Sequence, residues 1–321
     1  MSLLDVEDLA VTFAVDGGRL SAVDGVSFSV DGGKTLGLVG ESGCGKSVTS
    51  LAIMGLLAKP AAQLAGGRIR FDGMDLARLP DGQMRDLRGD RLAMIFQEPM
   101  TALNPSYTIG DQIGESLIHH RAMDGPRARA RSIEMLRAVR MPAPEKRVDE
   151  YPHQLSGGMR QRAMIAMALA CGPALLIADE PTTALDVTVQ AQILDLLRDL
   201  QRQSGTAILL ISHDMGVIAE MADHVVVMYA GRVVEQAAAR DLFERPQHPY
   251  TIGLLGSIPR LDTDHARLAA IEGGVPDPLD PPSGCRFHPR CPFGDAKCAQ
   301  ARPPLREIET GHRVACWKAP L

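Results

Sequence analysis

Gly40-Glu41-Ser42-Gly43-Cys44-Gly45-Lys46-Ser47 fits G-x-x-x-x-G-K-[ST] at every fixed position. The chemistry such a run can do is to hold phosphates. Glycines let the backbone fold so that successive N–H groups point inward, and a helix that starts at the end of the run adds roughly half a positive charge. Lys46 would reach the β- and γ-phosphates of a nucleoside triphosphate, and Ser47 would ligate Mg²⁺. A second pair of reactive groups lies far downstream, where the apolar run Leu175-Leu176-Ile177-Ala178 ends in Asp179-Glu180. Asp179 suits the Mg²⁺ sphere, and Glu180, one residue on, can polarise an attacking water. A third set is Cys285, Cys291, Cys298 and Cys316, separated by 5, 6 and 17 residues. Four thiolates can hold a [4Fe–4S] cluster or a zinc ion. The closely paired cysteines usual in structural zinc sites are missing here, and unliganded thiols are the third alternative.

These groups need elements to position them. Leu36-Gly37-Leu38-Val39 reads as a buried strand running into the glycine-rich turn, and Val48 to Leu57 reads as the helix that follows. Leu92 to Phe96, Ala174 to Ala178, Ala207 to Ile211 and Val225 to Tyr229 are similar short strand patterns. Val189, Ile193, Leu196, Leu197 and Leu200, spaced by 3 and 4, predict an amphipathic helix. Strands alternating with helices imply an α/β chain with a largely parallel, covered sheet. From Pro276 to Pro304 eight prolines fall in a segment with no helical or strand period, which predicts irregular structure.

Bulk composition sets limits. The 321 residues are 45% hydrophobic and 23% charged, ordinary for a globular protein of about two domains. A net charge of −5 argues against a nucleic-acid partner. The N-terminus lacks the basic start and apolar run of a secretory signal. The most apolar stretch, Ala163 to Ala178, is 16 residues long and broken by Gly172-Pro173, too short to span a bilayer. Any link to a membrane is therefore expected to pass through a partner. Residues 121–147 carry eight Arg/Lys against three acids, which is either a solvated helical face or a surface for anionic lipid or an acidic partner.

Leu155-Ser156-Gly157-Gly158-Met159, followed by Arg160-Gln161-Arg162, resembles the signature of the ABC ATPases. Gln97, Ala184-Leu185-Asp186 and His213 resemble that family's Q-, D- and H-loops, in the same order, over roughly residues 1 to 240. Glu98-Pro99-Met100-Thr101-Ala102-Leu103-Asn104-Pro105 and Arg245-Pro246-Gln247-His248-Pro249-Tyr250-Thr251 resemble the dipeptide and oligopeptide importer ATPases, with the whole chain covered. The resemblance implies a P-loop ABC ATPase domain over residues 1–255, with a RecA-like core, an antiparallel β subdomain and a helical subdomain at about 100–170. It also implies a Cys/Pro-rich extension over 256–321. It implies ATP and Mg²⁺ as ligands, with Gly40 to Val48 binding ATP, Phe13 stacking on adenine, Gln97, Glu180 and His213 catalytic, and Ser47, Gln97 and Asp179 around Mg²⁺. Leu155 to Met159 would act on ATP held by a partner in a head-to-tail dimer, with Asp186 alongside. It favours the cluster at the four cysteines, zinc remaining the alternative.

The implied partners are a second ATPase subunit, by resemblance a paralogue, two transmembrane permease subunits and an extracytoplasmic solute-binding protein. The implied place is the cytoplasmic face of the membrane, peripherally bound, with Met100 to Tyr107 as the contact to a membrane subunit. Nickel or another solute is an alternative cargo. A non-transport ABC ATPase is a weaker rival, because one cassette is present and the P-loop and signature lie about 110 residues apart with no heptads between. A P-loop kinase or GTPase has no use for Leu155 to Met159.

Overall fold

A computed structural model describes residues 2–16, 18–183, 185–257 and 271–321. The chain forms two compact units that interleave in sequence. One, the phosphate-loop unit, consists of Ser2–Ser29, Thr35–Ala77 and Ile211–Leu321. The other, the signature unit, holds Val30–Lys34 and Arg78–Leu210.

The phosphate-loop unit opens with an antiparallel sheet in the order Gly18–Asp31, Ser2–Val15, Ala62–Phe71, Met74–Asp75. Alternation along the first strand buries Leu4 and Val6, then Leu9 and Val11. The change of phase comes from a bulge between Glu7 and Ala10, where Asp8 takes φ +47°. Gly67 faces this bulge at φ +90°, and a Cβ there would lie 2.6 Å from the carbonyl oxygens of Glu7 and Asp8. Only glycine lets the two backbones approach that closely.

A second set of strands in this unit carries the loop. Thr35–Val39, buried at every residue, pairs in parallel with His224–Tyr229. Arg232–Ala238 adds antiparallel to His224–Tyr229, and the hairpin of His312–Val314 and Arg306–Glu309 continues the order outward. The segment after Pro276, expected to be irregular, is mostly so. It does hold a single 3₁₀ turn, His288–Arg290, and one short helix, Ala296–Gln300, capped by the Asp295 carboxylate on Cys298 N–H at 3.0 Å. A five-residue helix is too short to leave a period in the sequence.

In the signature unit Leu92–Ile95 and Leu175–Asp179 pair in parallel. Around them lie helices whose N-caps are side chains: Ile109–Arg121 after Thr108, Gly125–Ala138 after Asp124, Gly157–Leu169 after Ser156 and Val187–Ser204 after Asp186. In the last of these, Ile193, Leu194, Leu196 and Leu197 are buried, which is the expected apolar face. The basic residues of 121–147 are paired throughout. Arg121 meets Asp90, Arg127 meets Asp124, Arg129 meets Asp149, Arg131 meets Glu134, Arg137 meets Glu145 and Arg140 meets Asp199, while Lys146 and Arg147 share Glu150. This favours the solvated face over an anionic partner. Among the described residues no helix is long and apolar enough to cross a membrane.

Candidate nucleotide site and cysteine cavity

Val39 ends its strand and the chain turns at Gly40, where φ is +151°. A Cβ at Gly40 would stand 2.2 Å from the Met228 carbonyl oxygen, so the turn requires glycine. The helix begins at Lys46 and runs to Ile53, ending four residues short of the expected Leu57. Its first turn carries no acid and its N-cap, Gly45, offers no side chain, so the positive end of the helix is left for an anion. Lys46 is buried, and its Nζ donates to the carbonyls of Gly40 at 2.7 Å and Glu41 at 3.1 Å. The Cys44 thiol is packed inside the loop, and burial pushes its pKa up. That suits a packing residue rather than a nucleophile. In the same unit Phe13 lies on the N-terminal strand opposite Ala62, partly exposed rather than in the core. His213 is exposed after its strand, and the next residue, Asp214, caps the helix Met215–Met221 by accepting from Gly216 N at 2.8 Å.

In the signature unit Asp179 is the last residue of its strand and is buried. Glu180 follows at φ +49°, a left-handed conformation that a non-glycine residue holds only where its surroundings impose it. Side-chain donors meet its carboxylate. Gln97 Nε2 and Thr183 Oγ1 each donate to Oε2 at 2.9 Å. Sequence reasoning missed Thr183; its place three residues after Glu180 was the available signal. The signature helix is tied to this loop through Gln161, whose Nε2 donates to the Pro181 carbonyl at 2.6 Å.

Ser156 caps the signature helix, its hydroxyl accepting from Met159 N at 3.4 Å. Ser156, Gly157, Gly158 and Met159 share one cleft of about 590 Å³ with Leu185 and Asp186. Leu155 is buried beneath it. Asp186 caps the following helix by accepting from Val189 N at 2.9 Å. Ala184 lies outside the described residues. A second cleft, of about 1040 Å³, is lined by Asn104, Tyr107, Thr108, Ile118 and Met167 among others. Met100, Tyr107 and Ile118 are each more than half exposed.

Cys285, Cys291, Cys298 and Cys316 come together. All four line one small cavity with Phe287, His288, Trp317 and Lys318. Backbone bonds hold their spacing, Cys285 N donating to Cys298 O at 2.8 Å. Burial, reinforced by the neighbouring thiols, pushes Cys285 up to about 11. Among the described residues no three His, Cys, Asp or Glu side chains converge on a point where one metal ion would bind. His312 is engaged elsewhere, with Nε2 at 2.8 Å from the buried Glu235 carboxylate, and the His288 ring lies 3.2 Å from the Cys285 carbonyl.

Comparison with known proteins agrees with this geometry. The ABC transporter family model matches residues 23–183, and the model of the oligopeptide/dipeptide transporter C-terminal region matches residues 234–298. The dipeptide transport ATP-binding protein DppD of Bacillus subtilis is 53% identical over 315 residues, covering 98% of this chain and 94% of that one. The oligopeptide transport ATP-binding protein OppD of Salmonella typhimurium is 52% identical over 316 residues, covering 98% and 93%. Among solved structures, the dimeric post-hydrolysis ATP-binding cassette MJ0796 bound to ADP and Pi superposes with a TM-score of 0.66 at 28% identity, over 74% of this chain and 99% of that one. The chain belongs to the ABC transporter family, among the members that carry the oligopeptide/dipeptide transporter C-terminal region.

Proposed function

We propose that this chain is the ATPase subunit that energises a peptide importer. The observation that carries the hydrolytic reading is the Glu180 carboxylate, oriented by Gln97 and Thr183 one residue after the buried Asp179. Gly40 to Val48 bind the triphosphate, with Lys46 on the β- and γ-phosphates. Ser47, Gln97 and Asp179 serve Mg²⁺, Phe13 stacks on the base, and His213 contacts the γ-phosphate. Glu180 polarises the attacking water, help that is worth about 10²–10⁴ in rate. Ser156 and Gly158 serve the nucleotide of a second ATPase, and the cleft they share with Asp186 leaves room for it.

The peptide reading rests on the C-terminal region and on relatives whose names specify dipeptide and oligopeptide transport. Two permease subunits and an extracytoplasmic receptor complete the machine, with this chain on the cytoplasmic face. The cleft and exposed apolar residues around Met100 to Tyr107 are a fitting seat for a permease segment. The four cysteines hold a [4Fe–4S] cluster in this reading. In such a cluster each thiolate binds a different iron, so the sulfurs can surround one cavity without converging as they must on zinc, where all four stand about 2.3 Å from one ion. The cluster would clamp a segment that has few hydrogen-bond ladders of its own.

One preparation tests these readings. The tagged protein is isolated anaerobically from gently solubilised native membranes, its partners are identified by mass spectrometry, and its metal content is measured. Two multi-span proteins, a second ATPase and about four irons per chain are expected. Ribosomal or DNA-associated partners would overturn the importer, and a colourless protein with one zinc would overturn the cluster.

A further inference from the structure

The carboxylate of Glu41 sits in the second position of the phosphate loop, where it would repel the triphosphate that the loop is read as holding. In the structure this charge is met by a residue 249 positions away. Arg290 Nη1 donates to Glu41 Oε2 at 2.7 Å and Nη2 donates to Oε1 at 3.1 Å, a two-pronged pair. The Arg290 side chain is only 6% exposed, which makes the pair far less screened than a surface one. Its remaining donors are also used. Nε reaches the Glu272 carbonyl at 3.0 Å, Nη2 the Ile271 carbonyl at 3.2 Å, and Nη1 the Tyr229 hydroxyl at 3.3 Å. The guanidinium also lies 5.8 Å from the centre of the Tyr229 ring.

A second contact holds the backbone of the same residue. Glu41 N–H donates to the Tyr250 hydroxyl at 2.8 Å, and Tyr250 is fully buried against Tyr229 and Phe287 at ring separations of 4.6 and 5.4 Å. The Glu41 carbonyl in turn accepts from Lys46 at 3.1 Å. Arg290 and Tyr250 therefore fix Glu41 from the C-terminal side of the chain, and Glu41 helps to fix the lysine that would meet the phosphates.

We propose that Arg290 is a positioning residue for the phosphate loop, neutralising and orienting Glu41 so that the C-terminal extension sets the affinity for ATP. The proposal rests on the reading of Gly40 to Ser47 as the phosphate site. The loop is ordered before ligand arrives, so ordering costs less at the moment of binding. Without Arg290 an unpaired carboxylate faces an anionic ligand. Arg290 is the immediate neighbour of Cys291, so the phosphate loop's anchor adjoins the cysteine cavity.

The test is a double-mutant cycle on the full chain, read as the Kd for ATP–Mg²⁺ and as kcat at saturating ATP. Arg290→Ala is expected to raise Kd about tenfold, the size of a lost charge-assisted hydrogen-bond pair, while kcat stays within a few-fold. Adding Glu41→Gln removes the unpaired charge and is expected to recover most of that loss. Arg290→Lys keeps the charge without the fork and should fall between, and it carries the cycle if the alanine variant does not fold. An unchanged Kd in Arg290→Ala overturns the proposal, as does a rise that Glu41→Gln fails to relieve, which would mark Arg290 as merely structural. Lys46→Ala separates the two levels. If it binds ATP normally the phosphate-site reading itself is wrong; if it abolishes binding while Arg290→Ala is silent, only the positioning role fails.

Discussion

Glu180 combines a left-handed backbone, a strain of about 1–3 kcal/mol, with a carboxylate that accepts from the side chains of Gln97 and Thr183. Glu180→Gln keeps the size and removes the charge proposed to polarise water. It is expected to cut ATP turnover by at least 10²-fold while ATP affinity is retained, measured by phosphate release and equilibrium binding. Near-normal hydrolysis would remove Glu180 from the mechanism. The residues around this centre differ in how far sequence could reveal them. Gly40 to Ser47, Asp179 and Glu180 are contiguous runs whose chemistry is written in neighbouring positions. Thr183 lies three residues after Glu180, and that closeness was its sign in the sequence. Arg290 and Glu41 meet only because the fold closes a loop of 249 residues, and a lone arginine among prolines carries no local sign of its partner.

At the scale of elements, the strands Thr35–Val39, Leu92–Ile95, Leu175–Asp179, Ala207–Ser212 and His224–Tyr229 were legible because each is a short apolar run, and the helix Val187–Ser204 because its apolar residues recur at spacings of 3 and 4, whereas the N-caps Thr108, Asp124, Ser156 and Asp186 stand out only in the structure. End points were less legible: the helix after the phosphate loop stops at Ile53 because Gly55 then takes φ +62°. The caps contribute stability that is separable from nucleotide chemistry. Asp124 accepts from Arg127 N at 2.9 Å on an exposed helix start, so Asp124→Ala should lower unfolding free energy by about 1 kcal/mol with ATP affinity unchanged. Denaturant unfolding and ATP titration on the same preparation check this, and a weakened affinity would mean that the helix Gly125–Ala138 is coupled to the nucleotide loop.

Across the whole phosphate-loop unit, the first strands and the last segment are joined by charge. Asp24 accepts from Arg232 Nη2 at 2.6 Å and from Arg286 Nη2 at 2.6 Å, the latter 262 residues away. Burial alone would raise the Asp24 pKa, but the bond to Arg232 and the charges of Arg232 and Arg286 outweigh it and hold the carboxyl below its ordinary 3.8. A carboxylate depressed on folding adds stability that is present above 3.8 and disappears as pH falls through the folded value. Asp24→Asn is therefore expected to destabilise the protein at neutral pH, and its deficit against the parent should shrink once the pH drops below 3.8; a deficit that stays constant into acid would show that the carboxylate's charge is not what holds the two ends. No composition or period announces this tie.

The hairpin of Arg306–Glu309 and His312–Val314 has a consequence for the molecule in a crowded cell. It pairs with the outer side of Arg232–Ala238, whose apolar Val233, Val234 and Ala237 are buried, and presents Arg306, Glu307 and Glu309 as the new margin. A chain cut before Arg306 would keep every nucleotide motif yet leave the outer N–H and C=O groups around Glu235 and Gln236 unpaired, the kind of margin on which other chains build strands. The tail thus doubles as a guard against self-association, and a cassette trimmed to its catalytic motifs would trade a shorter chain for poorer solubility.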